Sequence, residues 1–436
     1  MINSIDIEHK PPQKKALAFF CLFLLSLNNT LISVTFAGIT LDRLIEMLVF
    51  LLLLPYFFKE FLNNQSFYIF TLIILLMIFF RTFIVIFDIS NDSTDLETIL
   101  RELMRVFIFL IFYLLAHYSF SRLGIQGVIF FIIITSPYVL LAFIQHPLTP
   151  FSDLSYSIHQ NFYSGNMVQD LTSRGSYLEQ FSKNKFLIRP SGPYGGPIIL
   201  SYALIPIMAM SLYAYIHEQK KRYYFWFIFV LVVSFLTLTR SLILGSVIMF
   251  LSITFIQLYL KRDRYILAIL LLSLITIAII MSGQLELFNR IISFSDVLAG
   301  DGLSERQVAW LSGFMALIEN PLYFNSSHYS EIFKSFCHES SNCLNQISMH
   351  NGFLRVGRDF SLFGLLVYLG LLLWLFYLSV KRPFPYSLIF CSFLIAYLAN
   401  TFFHNNTLFI SEYGILVPIA LLFCLHRSET LATIRR

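Results

Sequence analysis

Residues 223–260 read YYFWFIFVLVVSFLTLTRSLILGSVIMFLSITFIQLYL, a 38-residue run in which Arg240 carries the single charge. A helix crosses a hydrocarbon core with about 20 residues. The run is therefore too long for one crossing and suits two. Its centre, Thr237-Leu238-Thr239-Arg240-Ser241, is the polar point at which the chain can reverse. A charge deep in a membrane is costly and is retained where it meets a cavity or a partner. A reversal here sets Arg240 at the mouth between two helices. Two readings stay open at this point: a working cation, or an anchor reaching for the interface.

The same pattern extends along the whole chain. Apolar residues make up 57% of the 436 positions and charged residues 13%, against about a quarter charged in a soluble domain. Spans are expected at 16–36, 41–58, 67–87, 103–119, 124–145, 196–216, 223–239, 241–260, 265–282, 361–380, 386–403 and 408–425. These runs are continuously apolar, unlike the alternating strands of a membrane barrel. The expected fold is an all-α polytopic membrane protein, with about twelve transmembrane helices in a single transmembrane domain over 1–436. No small-residue cleavage site follows Lys10, Lys14 and Lys15, so the first span reads as a signal anchor.

Orientation follows the cations. With the N-terminus inside, inner segments such as Lys220-Lys221-Arg222, Lys261-Arg262-Asp263-Arg264 and Lys381-Arg382 collect 16 of the 30 lysines and arginines and 6 of the 25 acids. An even span count returns the C-terminus, with Arg427, Arg435 and Arg436, to the inner side. The net charge of +5 is thus a topology signal and gives no case for nucleic acid.

Two outer segments are long, 146–195 and 283–360. Loops beyond about 15 residues without structure of their own are uncommon unless functional. Inside the second, Val308, Leu311, Phe314, Met315 and Ile318 recur at helical spacing until Asn320-Pro321, and another amphipathic stretch begins near Ile347. Such helices suit a membrane surface or a small extramembrane subdomain. Cys337 and Cys343 share this loop, as a bridge or as two thiols; Cys21, Cys391 and Cys424 fall in spans as small apolar fillers.

Arg306 heads the expected helix Glu305–Ile318 and offers a planar fork of donors suited to phosphate. His350, followed by Asn351, closes the long loop with a side chain able to take a proton near neutrality. His146, His159, His328, His338 and His404 share the outer face, so position alone does not single it out. Arg189-Pro190-Ser191-Gly192-Pro193-Tyr194-Gly195-Gly196-Pro197 enters the sixth span from outside, its glycines permitting close backbone approach. Neither face shows a metal-ligand spacing, and no cofactor is expected.

In order, these pieces resemble the O-antigen ligase / O-antigen polymerase superfamily, GT-C-like membrane glycosyltransferases. The matching residues are Arg189–Gly196, Thr239-Arg240, Arg306-Gln307-Val308-Ala309-Trp310 with Asn320-Pro321-Leu322, and His350-Asn351 with Gly357 and Gly364. A family glycine three places before Gly364 is Ser361 here, and Tyr323-Phe324-Asn325 replaces a Gly-x-Gly. The resemblance covers roughly residues 185–370.

It implies a metal-independent, inverting transfer of an oligosaccharide from undecaprenyl diphosphate to an acceptor hydroxyl at the periplasmic face of a bacterial inner membrane. His350 is the implied base, Arg240 and Arg306 the cations facing the diphosphate, and Arg189 a weaker ligand of phosphate or sugar. Implied partners are the lipid-linked donor, an acceptor glycolipid, membrane lipid at a lateral opening, and a chain-length regulator. The long 146–195 segment favours a repeat-unit polymerase over a ligase joining glycan to lipid A–core. A lipid-linked glycan flippase is the more distant alternative.

Overall fold

The computed structural model describes residues 12–27, 35–36, 39–91, 96–146, 190, 192–194, 197–237, 239–260, 305–322, 326–336, 351–404 and 413–434. They are almost entirely helical. In chain order the helices are α1 (Pro12–Leu27), α2 (Leu41–Asn63), α3 (Gln65–Asn91), α4 (Leu96–Leu123), α5 (Ile125–Ile144), α6 (Pro197–Glu218), α7 (Lys221–Leu236), α8 (Arg240–Leu260), α9 (Glu305–Glu319), α10 (Ser326–Phe336), α11 (Gly352–Val380), α12 (Tyr386–Phe403) and α13 (Leu416–Ile434). Strands β1 (Thr35–Phe36) and β2 (Ile39–Thr40) pair antiparallel in the α1–α2 connection.

Among the described residues, segments of α3, α5, α6, α11 and α12 are each long and apolar enough to cross a membrane, and shorter apolar stretches occur in α4, α8, α9 and α13. The chain is a multi-pass membrane protein. Helix is what such sequences must adopt, because hydrocarbon leaves peptide groups only internal partners.

Several boundaries differ from the sequence reading. The expected span 16–36 is helical over Pro12–Leu27 and does not reach 36 as helix, because Thr35–Phe36 are a strand; residues 28–34 lie outside the described residues. The last begins at Leu416 behind a single 3-10 turn, Tyr413–Ile415. The expected span 361–380 is the distal part of α11, a 29-residue helix broken at Ser361. The expected span 265–282 and the Cys337/Cys343 pair lie outside the described residues.

Packing divides between two groups. α1, α2, α3 and α13 surround α4, while α5, α7, α8 and α12 surround α6; α11 leans on α3 and α12. The closest pairing is α8 against α12, where small residues let backbones approach. A Cβ built on Gly245 would lie 3.0 Å from the Ala396 Cβ and 3.2 Å from its Cα. One facing layer further along, Ser252 and Ser392 share a short hydrogen bond.

α9 forms where the 308–318 periodicity places it. Val308, Ala309, Ser312, Ala316 and Leu317 are covered by α10 and α11, whereas Leu311, Phe314 and Ile318 stay exposed as an apolar stripe, as on a helix at a membrane surface.

Gly245→Val should lower stability by about 1–3 kcal/mol through overpacking against the Ala396 backbone. Gly370→Ala, with open space around the glycine, should leave it unchanged or raise it by about 0.5–1 kcal/mol. Thermal melting in detergent separates the two.

Candidate functional site at one end of the bundle

Helix ends leave backbone groups without intrahelical partners, and one end of the bundle gathers polar side chains at several of them. The α7–α8 reversal is held locally. The Thr237 hydroxyl donates to the Ser234 carbonyl at 2.8 Å and accepts from the Thr239 amide at 3.3 Å. The Ile243 amide returns to the Thr239 carbonyl at 2.9 Å. Arg240 is the first residue of α8.

Ser241, next in sequence, ties this turn to two other helices. Its hydroxyl donates to Asn400 Oδ1 at 2.5 Å and lies 2.8 Å from His404 Nε2. The Asn400 Nδ2 donates to Ser201 Oγ at 3.1 Å. Thus the beginning of α6, the beginning of α8 and the end of α12 are joined by buried polar groups. In the sequence His404 is one outer histidine among several and Ser241 closes the polar reversal point, while no local pattern marks Ser201 or Asn400.

The end of α12 also receives the long-loop helix. Trp310 packs edge-on against Phe402, with ring centroids 5.0 Å apart, and lies 6.4 Å from Phe403. Arg306 precedes Trp310 by one turn of α9. α9 in turn meets the start of α11, where a Cβ added to Gly357 would stand 2.5 Å from Leu317 Cδ2.

α11 begins at the Asn351 cap, whose Oδ1 accepts from the Phe353 and Leu354 amides at 3.0 and 3.1 Å. It breaks at Ser361, which sits at φ 70° and ψ 173°. Both sides of the break find substitutes. The Leu362 amide donates to the Pro321 carbonyl at 3.1 Å, and Arg81 Nη1 of α3 donates to the Asp359 carbonyl at 3.0 Å. The Asp359 carboxylate meets Arg358 at 2.9 Å, Arg355 at 3.4 Å and Arg81 at 3.9 Å. Arg81, a charge inside an apolar run, was a signal available in the sequence.

The glycine-rich entry to α6 is more than loop punctuation. Gly192 adopts φ 60° against the Tyr138 carbonyl. Gln145 reads both of its backbone groups, accepting from the Gly192 amide at 2.8 Å and donating to its carbonyl at 3.0 Å. Next to it, Tyr194 lines a cleft with Ser26, Thr135, Tyr202 and Gly414.

Of the residues expected at the site, Arg189 and His350 lie outside the described residues, as do the side chains of Arg240 and Arg306. The end of α12 meets both α8, which begins with Arg240, and α9, which carries Arg306, and α9 packs on α11 around Gly357. Among the other histidines, His146 is buried just past the end of α5, and that burial pulls its pKa down to about 4; it is neutral at pH 7. His328 bonds to the Glu319 carboxylate, which raises its pKa, with Glu331 nearby. Among the described residues no three His, Cys, Asp or Glu side chains converge as a metal site.

Comparison with known protein families finds no matching family model, and comparison with curated proteins finds no matching sequence.

Ser361 occupies a backbone region that is essentially reserved for glycine and costs about 1–3 kcal/mol otherwise. Ser361→Gly should therefore raise the melting temperature, while Ser361→Val should lower it.

The His328–Glu319 pair joins α10 to the end of α9. A histidine with a raised folded pKa adds stability that is fully present below its unfolded value of about 6.5. That contribution disappears as pH rises through the raised value. Amide exchange in α10 should accordingly speed up between mildly acidic and alkaline pH beyond its intrinsic pH dependence, and His328→Gln should remove the excess.

Proposed function

We propose that the protein is a glycosyltransferase that moves an undecaprenyl-diphosphate-linked oligosaccharide to an acceptor hydroxyl at the outer face of a bacterial inner membrane, acting as a repeat-unit O-antigen polymerase. The reading rests on one observation above all: the end of α12 touches both the Arg240 turn, through Ser241–His404, and the Arg306 helix, through Trp310–Phe402. α9 also packs on α11, the helix that follows His350-Asn351 in the chain. Contacts of this kind, between segments far apart in sequence, support the reading.

The chemistry suits these residue types. His350 takes the proton of the acceptor hydroxyl as its oxygen forms a bond to the anomeric carbon. The bond from that carbon to the diphosphate oxygen breaks, and undecaprenyl diphosphate leaves with the electron pair. Arg240 and Arg306 offset the charge that develops on it, acting where preorganised cations are most effective. Arg189 has a supporting role at phosphate or sugar. A guanidinium keeps its charge at any relevant pH and can bind phosphate oxygens in pairs.

In a strain carrying only the altered gene, His350→Ala should reduce transfer by about 10²–10⁴-fold. Arg240→Ala and Arg306→Ala should each cost about 10²–10³-fold. Surface lipopolysaccharide on a gel provides the readout. Core plus one repeat unit indicates a lost polymerase, and core without repeats a lost ligase. An unchanged ladder at normal protein level overturns both readings.

A further inference from the structure

The polar chain at the Arg240 turn has a direction that proton counting fixes. Ser201 has one hydroxyl proton and gives it to the Ile198 carbonyl at 2.6 Å; its 3.5 Å approach to Asn400 Oδ1 is too long to compete. Asn400 must therefore meet Ser201 Oγ with its NH2 group, at 3.1 Å, which turns Oδ1 toward Ser241. An amide oxygen only accepts, so the single Ser241 proton is committed to Asn400 at 2.5 Å. His404 Nε2, at 2.8 Å from Ser241 Oγ, must then be the donor. Flipping Asn400 would set its oxygen against a Ser201 hydroxyl already committed to Ile198.

We infer that His404 is a positioning residue, held with its proton on Nε2, whose N–H clamps Ser241 and so fixes the first turn of α8 where Arg240 stands. Thr237 bonds to Val233 and Ser234, and Thr239 to Thr237 and Ile243, contacts that close the turn on itself. Ser241 ties that turn to α12 and, through Asn400, to α6. Ser201, Ser241 and Asn400 are fully or almost fully buried, at 0%, 1% and 0% exposure. Bonds made out of water's reach hold geometry more strictly than surface ones.

The inference rests on the transferase reading, in which Arg240 must face the departing diphosphate. A displacement of about 1 Å at such a site can cost as much as 10²-fold. Asn400 is a positioning partner in the same sense, one step further from the chemistry.

The test exploits side-chain geometry. The Gln amide nitrogen reaches about as far as His Nε2 and donates, but holds no titratable proton; the Asn amide nitrogen is too short. Cells carrying His404→Gln, His404→Asn, Ser241→Ala, Arg240→Ala or His350→Ala are compared for polymerised glycan and for protein level in the membrane. His404→Gln should stay within about threefold of wild type, while His404→Asn and Ser241→Ala fall by about tenfold or more at normal protein level.

Equal loss in His404→Gln and His404→Asn would overturn the clamp, because the imidazole itself would then be required. Full transfer in His404→Asn would overturn it as well, showing that the donor is dispensable. If Arg240→Ala and His350→Ala retain the glycan ladder, the transferase reading fails whatever His404 does. If those two lose it while His404→Asn keeps it, only the clamp fails.

Discussion

Hydrocarbon gives a peptide group no hydrogen-bond partner except another part of the protein, and each group left unpaired there costs several kcal/mol. Continuous apolar runs consequently become helices, and every interruption of a helix needs polar atoms brought from elsewhere. Two interruptions organise this molecule. At Thr237–Arg240 the chain reverses, and threonine hydroxyls satisfy the turn while Ser241 ties it to α6 and α12. At Phe360–Ser361 helix α11 breaks, and the stranded groups are taken up by Arg81 of α3 and Pro321 of the α9–α10 connection.

The second interruption shows how the constraint recruits charge. Arg81 lies in an apolar helix, and its guanidinium reaches both the carbonyl and the carboxylate of Asp359. A buried ion pair contributes little net stability compared with apolar packing, yet losing one partner is costly. Its effect is chiefly to fix where the first nine residues of α11 sit relative to the membrane-crossing part. Because Asn351 caps that short segment, the backbone beside His350 is held by the same tie. Ser361 takes the strained φ of 70° at the break.

Much of the scaffold was legible because hydrophobic run length is read directly from residues close in sequence. The 38-residue run around Arg240 does split into α7 and α8 there, and Asn320-Pro321 does end α9. Two kinds of information were not legible. Helix ends and breaks such as Ser361 depend on a few residues and their distant partners, which span-length counting ignores. The Ser201–Asn400–Ser241–His404 chain joins positions separated by 199, 159 and 163 residues, so no local pattern announces it. The stripe on α9 was legible in part: periodicity identifies an apolar face without saying whether protein or lipid covers it. Leu311, Phe314 and Ile318 stay exposed, while the protein core takes the other side of the helix together with Val308.

The depth of these groups also bears on what the bundle can do with them. A transporter places its substrate ligands near the bilayer midplane on broken helices of repeated halves. Here the linked polar groups occupy ends: Ser201 starts α6, Ser241 starts α8, and Asn400 lies in the last turn of α12. Deeper between α8 and α12, Gly245 against Ala396 and Ser252 against Ser392 close the interface too tightly to admit a sugar. Polar substrate is therefore expected at the end of the bundle, where a charged headgroup and its lipid tail can be handled separately. The exposed Leu311, Phe314 and Ile318 of α9, with Leu322 just beyond its end, form an apolar surface on the helix whose second residue is Arg306. Under the proposed function, a cation and an apolar stripe on one helix would suit a lipid diphosphate better than a solute passing through.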